Sequence, residues 1–344
     1  MKILVIGGGG YFGQLLIEDL ARNVHCEIVI GSRRQVRVNR FETVVADLLN
    51  PASLKIALNG VNIAICTAGP FQRLPAHLLE LCLQRGIHYI DIADDREFVQ
   101  RVRSLAAAKN DRAIAVCSAW STVSALSGPL VRIATTGMSS VPSIYIHMAP
   151  GNRGARRNAT IASLLYSVGQ PFTVLHGGSW QRVQGWSEPR DFAFPSPIGV
   201  RKGYLVDVPD HDLIPQSLNA ETVEFRAGSE LKLLNASLGL IARTKRSWVT
   251  WSSTFQRLAA LLSWIGHDSG GIGVEITGSV RRRASIVAKS RGERIAVMPA
   301  SVMAAALVAG SEHHGLVSHY DWLTPEQLQS ECERRDFRLV VEDL

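Results

Sequence analysis

The chain has 344 residues and a formal net charge of +7, and 46% of its residues are hydrophobic and 19% charged. This is the balance of an ordinary globular protein, and the length is sufficient for two domains with cores of their own. The basic excess suits an anionic cofactor or a membrane surface. No segment has the layout of a nucleic-acid-binding module, so we expect no nucleic-acid partner.

We expect a cytoplasmic protein. The five cysteines are scattered and form no C-x-x-C pair, which indicates free thiols in a reducing compartment. The first predicted strand begins at residue 2 and leaves no room for a signal peptide. No stretch reaches the roughly 18 to 20 apolar residues of a membrane span.

The first feature along the chain is an apolar strand, residues 2–6, that runs directly into a glycine cluster. The cluster fits G-x-G-x-x-G and also the looser G-x-x-G-x-x-G, and a helix with an apolar face follows it over residues 14–23. A strand, a glycine turn and a helix in this order predict binding of a dinucleotide pyrophosphate at the helix N-terminus. The residues expected to contact it are Gly7, Gly8, Gly10, Tyr11, Phe12 and Gly13. A glycine-rich turn without a ligand is the alternative.

The second predicted strand, residues 25–30, indicates which dinucleotide binds. NAD enzymes usually carry Asp or Glu at the end of this strand, where the carboxylate accepts hydrogen bonds from the ribose 2′-hydroxyl. Here the residues are Ser32, Arg33 and Arg34. A hydroxyl and two guanidinium groups suit a phosphate dianion by charge and by bidentate geometry. We therefore predict a 2′-phosphate clamp and NADP(H) as the cofactor; a solvated basic loop is the alternative.

Strands and helices continue to alternate up to about residue 117, which predicts a doubly wound α/β domain with a parallel sheet. Such sheets bind ligands beyond the carboxyl ends of their strands. The loops after the third and fourth strands are expected there, with Asp47, Thr67, Ala68, Gly69, Pro70 and Phe71. We predict that these residues bracket the adenosine and the nicotinamide ribose.

The regular alternation ends near residue 129, and helices and strands then follow in mixed order. The predicted fold is α/β, with an N-terminal doubly wound parallel sheet and an inserted second α+β domain. Residues 1–128 are predicted to form the NAD(P)-binding domain and residues 129–295 an α+β substrate or dimerisation domain. Residues 296–344 are predicted to be a C-terminal helical return to the first domain.

Several segments resemble the saccharopine dehydrogenase-like family. They are spread over nearly the whole chain, at residues 7–13, 46–47, 62–71, 82–91, 180–183, 206–210 and 298–300. The resemblance implies a Rossmann domain, an inserted α/β domain and a cofactor crevice between them. It also implies a nicotinamide cofactor, often NADP(H), used for reductive C–N chemistry or enoyl reduction, and a homodimer through the second domain. The chain departs from the family pattern at Trp120, where a small, open, Gly-rich loop is expected.

Hydride transfer needs no nucleophile, but the protein must supply or accept one proton. Asp91 and Asp94, at the end of the fifth predicted strand, are candidates for this role or for a ribose contact. A helix cap or a structural hydrogen-bond acceptor is the alternative for Asp91. His176 is a third candidate because histidine titrates near neutral pH; a surface or core histidine is the alternative. We expect no metal site.

Residues 231–265 are rich in Leu and Trp, with Lys and Arg between them. Helices of this kind lie on membranes, or they form a dimer face or an apolar lid. Ordinary amphipathic helices of the second domain are the simplest interpretation.

The sequence thus predicts an NADP(H)-dependent oxidoreductase that transfers hydride to or from a small or lipid-like carbonyl, imine or enoyl substrate. Two alternatives belong to other classes: a non-catalytic NADP-binding sensor or scaffold, and a membrane-associated partner protein.

Overall fold

A computed structural model describes residues 1–35, 40–109, 114–153, 158–244 and 247–344. The chain divides into two compact units. The first unit comprises Met1–Ser121 and Ala296–Ser318, and the second comprises Thr122–Ile295 and His319–Leu344. No described helix combines the length and the hydropathy that a membrane crossing needs.

The elements up to the first boundary are β1 (Lys2–Ile6), α1 (Tyr11–Asn23), β2 (Glu27–Ser32), β3 (Glu42–Val45), α2 (Pro51–Ala57), β4 (Ile63–Cys66), α3 (His77–Arg85), β5 (His88–Asp91), α4 (Arg96–Lys109) and β6 (Ala115–Cys117). Apart from β2 and β3, which follow each other with no described helix between them, these elements alternate between strand and helix.

The later elements mix helices and strands. They are α5 (Ser127–Ala134), β7 (Ser143–Ala149), α6 (Asn158–Ser167), β8 (Pro171–His176), β9 (Ser179–Gln184), β10 (Arg190–Ala193), β11 (Val200–Leu205), α7 (Asp210–Ser217), β12 (Thr222–Ala227), α8 (Lys232–Ala242), α9 (Ser252–Leu262), β13 (Gly270–Thr277), β14 (Arg281–Ala288), α10 (Met298–Val308), β15 (Gly315–Leu316), α11 (Pro325–Arg334) and β16 (Phe337–Asp343).

The first unit is built on a parallel sheet with the strand order β15-β6-β5-β4-β1-β2-β3. The order reverses at β1, so β1 and β4 lie side by side at the switch point where doubly wound sheets bind their ligands. The central strands are apolar on both faces because helices cover both faces of a parallel sheet. The predicted α/β class with a doubly wound parallel sheet is confirmed.

Local chemistry explains the helix ends of the first unit. Asn50 caps α2: its side chain accepts hydrogen bonds from the backbone N–H groups of Ala52 and Ser53, and Pro51 takes the first helical position. Helix α3 ends at Gly86, whose φ of 70° is a left-handed conformation that costs glycine little.

The second unit is built on a mixed sheet with the strand order β10-β11-β12-β7-β13-β14-β16, to which β8 and β9 are added beside β12. The pair β12–β7 is parallel, whereas the pairs of β13 with β7 and with β14 are antiparallel. Helix α5 packs against β13 and β14 and covers one face. A mixed sheet with helices of its own matches the predicted second α+β domain.

The C-terminal region differs from the predicted helical return to the first domain. Helix α10 and β15 do lie in the first unit, and β15 pairs with β6. Residues 319–344 belong to the second unit instead, because β16 pairs along its whole length with β14. The chain therefore returns to the first unit with residues 296–318 alone.

Candidate functional site

The glycine turn after β1 is compact and held by backbone hydrogen bonds. Gly7 has a φ of 84°, and its N–H donates to the carbonyl oxygen of Gly31 at 2.9 Å. The N–H of Gly10 donates back to the carbonyl oxygen of Gly7 at 2.8 Å. A side chain at Gly13 would overlap the Gly7 carbonyl oxygen and lie 2.6 Å from the Cα of Gly8. The turn therefore needs glycine at 7 and 13, in the G-x-x-G-x-x-G register.

The turn leaves the start of α1 open. Gly10 is the N-cap, and neither a capping side chain nor an acidic residue occupies the first turn. Gly9 is exposed, and a Cβ added there would meet nothing within 4 Å. Tyr11 and Phe12 are half-buried, with their rings edge to face. Backbone N–H groups at an uncapped helix N-terminus favour an anion, so these residues fit a pyrophosphate.

The end of β2 carries two arginines and no acid. Ser32 is the last residue of the strand, and its hydroxyl donates to the carbonyl oxygen of Arg34. Arg33 and Arg34 are exposed, and within the part of the chain that the structure describes neither guanidinium has a hydrogen-bond or ion-pair partner. Two unpaired guanidiniums at this position fit a phosphate.

Asp47, after β3, is engaged in a local turn. Its Oδ1 accepts a hydrogen bond from the N–H of Leu49 at 3.0 Å, and its own N–H donates to the Ser53 hydroxyl at 2.9 Å. The side chain is half-buried. This arrangement fixes the loop between β3 and α2, and the predicted adenosine contact stays a prediction.

The loop after β4 lies directly against the glycine turn. The N–H of Thr67 donates to the carbonyl oxygen of Ile6 at 2.8 Å, and its hydroxyl reaches the same oxygen at 3.0 Å. A Cβ on Gly7 would lie 2.7 Å from the Ala68 nitrogen. Gly69 is exposed and Pro70 half-buried. The tertiary fold thus brings Thr67 and Ala68 to the turn, and their predicted cofactor contact stays a prediction.

Phe71 ends this loop but points into the core. Its side chain is buried, and its ring centroid lies 5.2 Å from that of Phe98 on α4. A cofactor contact at this position would therefore have to come from the backbone.

Asp91 closes β5 in a fully buried position, 0% exposed. Its Oδ1 accepts hydrogen bonds from the N–H groups of Ala93 at 2.9 Å and Ala119 at 2.8 Å, and its carbonyl oxygen accepts one from Trp120 at 2.7 Å. Burial raises the pKa of Asp91, and the two N–H donors oppose this rise. This geometry fits the alternative role of Asp91, a structural hydrogen-bond acceptor. The carboxyl ties β5 to the loop after β6, where Trp120 is buried.

Asp94 is half-buried in the turn between β5 and α4. The start of α4 is held by the next residue, Asp95, whose Oδ1 accepts a hydrogen bond from the N–H of Phe98 at 2.8 Å. The predicted proton-transfer role of Asp94 stays a prediction.

His176 lies in the second unit, at the end of β8. Its side chain is half-exposed, and Nδ1 lies 2.8 Å from Oε1 of the buried Glu224. Arg226 binds the other carboxylate oxygen of Glu224. Burial opposes ionisation of Glu224, but the charge and hydrogen bond of Arg226 and the contact with His176 together outweigh it, so the pKa of Glu224 is lowered.

The sheet of the second unit carries a charged face that no motif in the sequence reveals. Glu224, Tyr145, Glu275 and Arg283 lie in register on β12, β7, β13 and β14. Glu275 pairs with Arg283 at 2.9 Å, with Arg281 at 2.8 Å and with Arg190 at 3.1 Å. Burial opposes ionisation of Glu275, but the arginines lower its pKa to about 2. The sequence signal for this face is weak: charged residues at alternate positions of an apolar strand, as at Glu224 and Arg226.

A second buried polar cluster also lacks a motif of its own. Asp210, at the start of α7, accepts hydrogen bonds from the N–H of Ser124 at 3.2 Å, from its hydroxyl at 2.8 Å and from the hydroxyl of Ser127. Asp210 ends the segment 206–210 that contributes to the family resemblance. The structure shows that the acid at this position accepts hydrogen bonds from Ser124 and Ser127.

Among the described residues, no group of three or more His, Cys, Asp and Glu side chains is placed to hold a metal ion.

Comparison with known proteins places the first unit in a family context. Residues 3–116 match the family model of the saccharopine dehydrogenase NADP binding domain, which indicates NAD(P) as the cofactor. No curated protein has a significant sequence match to the chain.

Solved structures show the same fold. The chain is similar to saccharopine dehydrogenase (L-Glu forming) from Saccharomyces cerevisiae, with a TM-score of 0.64 and 10% identity over 100% of this chain and 99% of that chain. At this identity the likeness shows the fold alone. An engineered D-amino acid dehydrogenase bound to NADP+ (TM-score 0.49, 11% identity, 98% and 99% coverage) and a dehydrogenase from Clostridium difficile (TM-score 0.43, 9% identity, 98% and 96% coverage) are too distant to inform the site.

Proposed function

We propose that this chain, whose residues 3–116 belong to the saccharopine dehydrogenase NADP-binding domain family, is an NADP(H)-dependent oxidoreductase. Its substrate is a small or lipid-like carbonyl, imine or enoyl compound. A nicotinamide cofactor supplies hydride chemistry, and the protein contributes binding, orientation and electrostatics.

The choice of NADP(H) over NAD(H) is carried by one observation, the acid-free end of β2 with two guanidiniums that have no partner among the described residues. An acid there would accept hydrogen bonds from a free 2′-hydroxyl but would repel a 2′-phosphate. Arg33 and Arg34 offer charge and planar N–H forks instead. Their exposure leaves them accessible to a ligand without breaking any existing ion pair.

The remaining cofactor contacts follow from the turn and its neighbours. The open first turn of α1 and the exposed Gly9 support a pyrophosphate held by backbone N–H groups. Thr67 and Ala68, which lie against the turn, support the predicted nicotinamide ribose contact. Asp94 suits proton transfer better than Asp91, because the Asp91 carboxyl is buried and holds two backbone N–H groups.

The test is a side-by-side titration of the purified protein with NADPH and NADH by calorimetry. We expect NADPH to bind more tightly, and the double variant Arg33→Ala/Arg34→Ala to weaken NADPH at least about 100-fold, since each charge-assisted hydrogen bond contributes about 1.5 to 3 kcal/mol. NADH affinity should change by less than about threefold because it has no 2′-phosphate.

Arg22→Ala is the matched control. Arg22 is also an exposed arginine, but it lies in the last turn of α1, at the far end of the helix from the glycine turn. Its loss should leave both affinities unchanged. Equal losses of NADPH and NADH binding in the double variant would contradict the clamp.

A second candidate is a non-catalytic NADP-binding sensor or scaffold. The observation that favours it is the burial of Asp91, whose carboxyl accepts two backbone hydrogen bonds and is therefore poorly suited to carry a proton. Oxidation of NADPH with any carbonyl, imine or enoyl substrate, lost in the Asp94→Asn variant with cofactor affinity intact, would exclude this candidate.

A further inference from the structure

Residues 231–265 contain five Lys and Arg and no acidic residue. They form α8, a short 3-10 turn at Val249–Trp251 and α9, all in the second unit. Of the five cations, Lys245 and Arg246 lie outside the described residues. The proposed cofactor contacts do not include this segment.

The apolar stripe of α9 faces solvent. We define it as Trp251, Leu258, Leu261, Trp264 and Ile265, all of which are exposed. Leu258 and Leu261 lie on one side of α9, three residues apart, whereas Trp251 directly precedes the helix and Trp264 and Ile265 follow its end. Leu261 is 69% exposed and Trp264 is 74% exposed. Apolar residues at this spacing normally face a core, and α9 has no buried residue.

Helix α8 adds to this surface. Leu233, 85% exposed, and Leu240 lie seven residues apart on its outer side, while Asn235 and Leu238 are buried on its inner side. The start of α8 and the end of α9 meet at one residue, because Glu230 accepts hydrogen bonds from the N–H of His267 at 2.7 Å and from its ring at 3.0 Å. The residue before the start of α8 is therefore tied to the segment that follows α9.

The charge around the stripe is positive and unpaired. Lys232, Arg243 and Arg257 are exposed, and none has an ion-pair or hydrogen-bond partner among the residues that the structure describes. The nearest acid in the sequence, Glu230, is engaged with His267. A partner for this surface must therefore be both apolar and anionic.

We propose that α8 and α9 form a peripheral binding surface for anionic lipid bilayers. Exposed Trp and Leu side chains enter the boundary between headgroups and acyl chains, and the cations contact acidic headgroups. A second copy of the chain fits less well, because it would bring two cationic surfaces together in a protein whose net charge is already +7. The inference goes beyond the proposed oxidoreductase function and does not depend on it.

The test is flotation of the full-length protein with two kinds of vesicle, phosphatidylcholine alone and phosphatidylcholine mixed with phosphatidylserine. We expect binding to the mixed vesicles at low salt, much weaker binding to phosphatidylcholine alone and release at high salt. Arg257→Glu should weaken binding by at least about fivefold, since each Lys or Arg near such a surface contributes about that factor.

Leu261→Ser/Trp264→Ser tests the apolar contribution. Both side chains are exposed, so the fold should be unaffected, as a circular dichroism spectrum and NADPH titration would verify. Binding to mixed vesicles should fall at least about tenfold. The matched control is Ile56→Ser, since Ile56 is 68% exposed on α2 of the first unit; its binding should change less than about twofold.

Three results would overturn the proposal: no binding to the mixed vesicles, equal binding to both kinds, or unchanged binding of the double variant. A fourth is a dimer in sedimentation velocity that the double variant converts to monomer without any vesicle binding, which would assign the surface to a second copy. If the wild-type protein did not bind NADPH, the proposed function would be contradicted, but the vesicle-binding result would still decide the membrane proposal.

Discussion

At the scale of single residues, Asp210 shows how burial and hydrogen bonding compete over one carboxyl group. Asp210 is fully buried in the second unit, where three donors from Ser124 and Ser127 surround it. Burial raises its pKa to about 6 although the serine donors favour the charged form. The folded state therefore binds a proton at this site more readily than the unfolded chain does.

We expect Asp210→Asn to remove a pH dependence of stability. The folded pKa of Asp210, about 6, lies above its usual value of 3.8. The stabilisation from its protonation is therefore complete below that usual value and is lost as pH rises through about 6. Urea unfolding at about pH 5 and about pH 7.5 should give the wild type a free energy of unfolding that falls by about 1 to 3 kcal/mol between the two, relative to the variant.

The control for this measurement is Asp321→Asn, because Asp321 is exposed. Its pH profile should follow the wild type. A wild-type and an Asp210→Asn profile that run parallel would show that Asp210 does not titrate in this range.

At the scale of elements, the junction of β1 and α1 depends on how closely two backbones approach. Gly13 sits on the first turn of α1 with no room for a Cβ, since Gly7 and Gly8 lie against it. Gly9 lies before α1, in the glycine turn that follows β1, and has open space around it. Alanine at position 13 therefore tests the packing between β1 and α1, whereas alanine at position 9 tests contact with a ligand.

Gly13→Ala should lower the free energy of unfolding by at least about 2 kcal/mol, because the added methyl group must displace backbone rather than a flexible side chain. Gly9→Ala should change it by less than about 0.5 kcal/mol yet weaken NADPH binding, since the proposed pyrophosphate contact needs close backbone approach. Urea unfolding and NADPH titration of both variants provide the measurement. Equal stability of the two variants would contradict the packing role of Gly13.

At the scale of the whole molecule, the chain builds two units with separate sheets and passes between them three times. The passages fall after Ser121, after Ile295 and after Ser318. The last one returns the chain to the second unit, where β16 completes the mixed sheet beside β14. An edge strand placed this late in the chain makes the second sheet dependent on the C-terminus.

Deletion of residues 337–344 should therefore loosen the second unit selectively. Without β16, the backbone groups of β14 lose their partners on one side. Hydrogen exchange followed by mass spectrometry should show amides of β13 and β14 exchanging at least about tenfold faster, with β1 and β4 changed by less than about twofold. Equal acceleration in both units would contradict their independence.

Much of the first unit could be predicted because its signals are local. The apolar strand, the glycine turn, the Asn50 cap and the Gly86 stop each lie within a few residues and act through backbone sterics or nearest-neighbour hydrogen bonds. The position of Ser32 and the two arginines at the end of β2 likewise follows from the local pattern of the strand. The match of residues 3–116 to the family model of the saccharopine dehydrogenase NADP binding domain agrees with these local signals.

The strand order of the second unit and the burial of single side chains could not be predicted this way. His176 meets Glu224 across 48 positions of sequence, and Asp91 meets Ala119 across 28. Neither pairing leaves a pattern within either segment.

The sequence by itself determined the alternating strands and helices, the glycine turn and the basic end of β2, because periodicity and turn chemistry act over short distances. The tertiary structure decided that Asp91 is a buried anchor, that β16 joins the second sheet and that the apolar stripe of α9 faces solvent. Burial and strand pairing depend on which distant segment arrives as a neighbour, and a helix with one apolar side reads the same whether that side is covered or exposed.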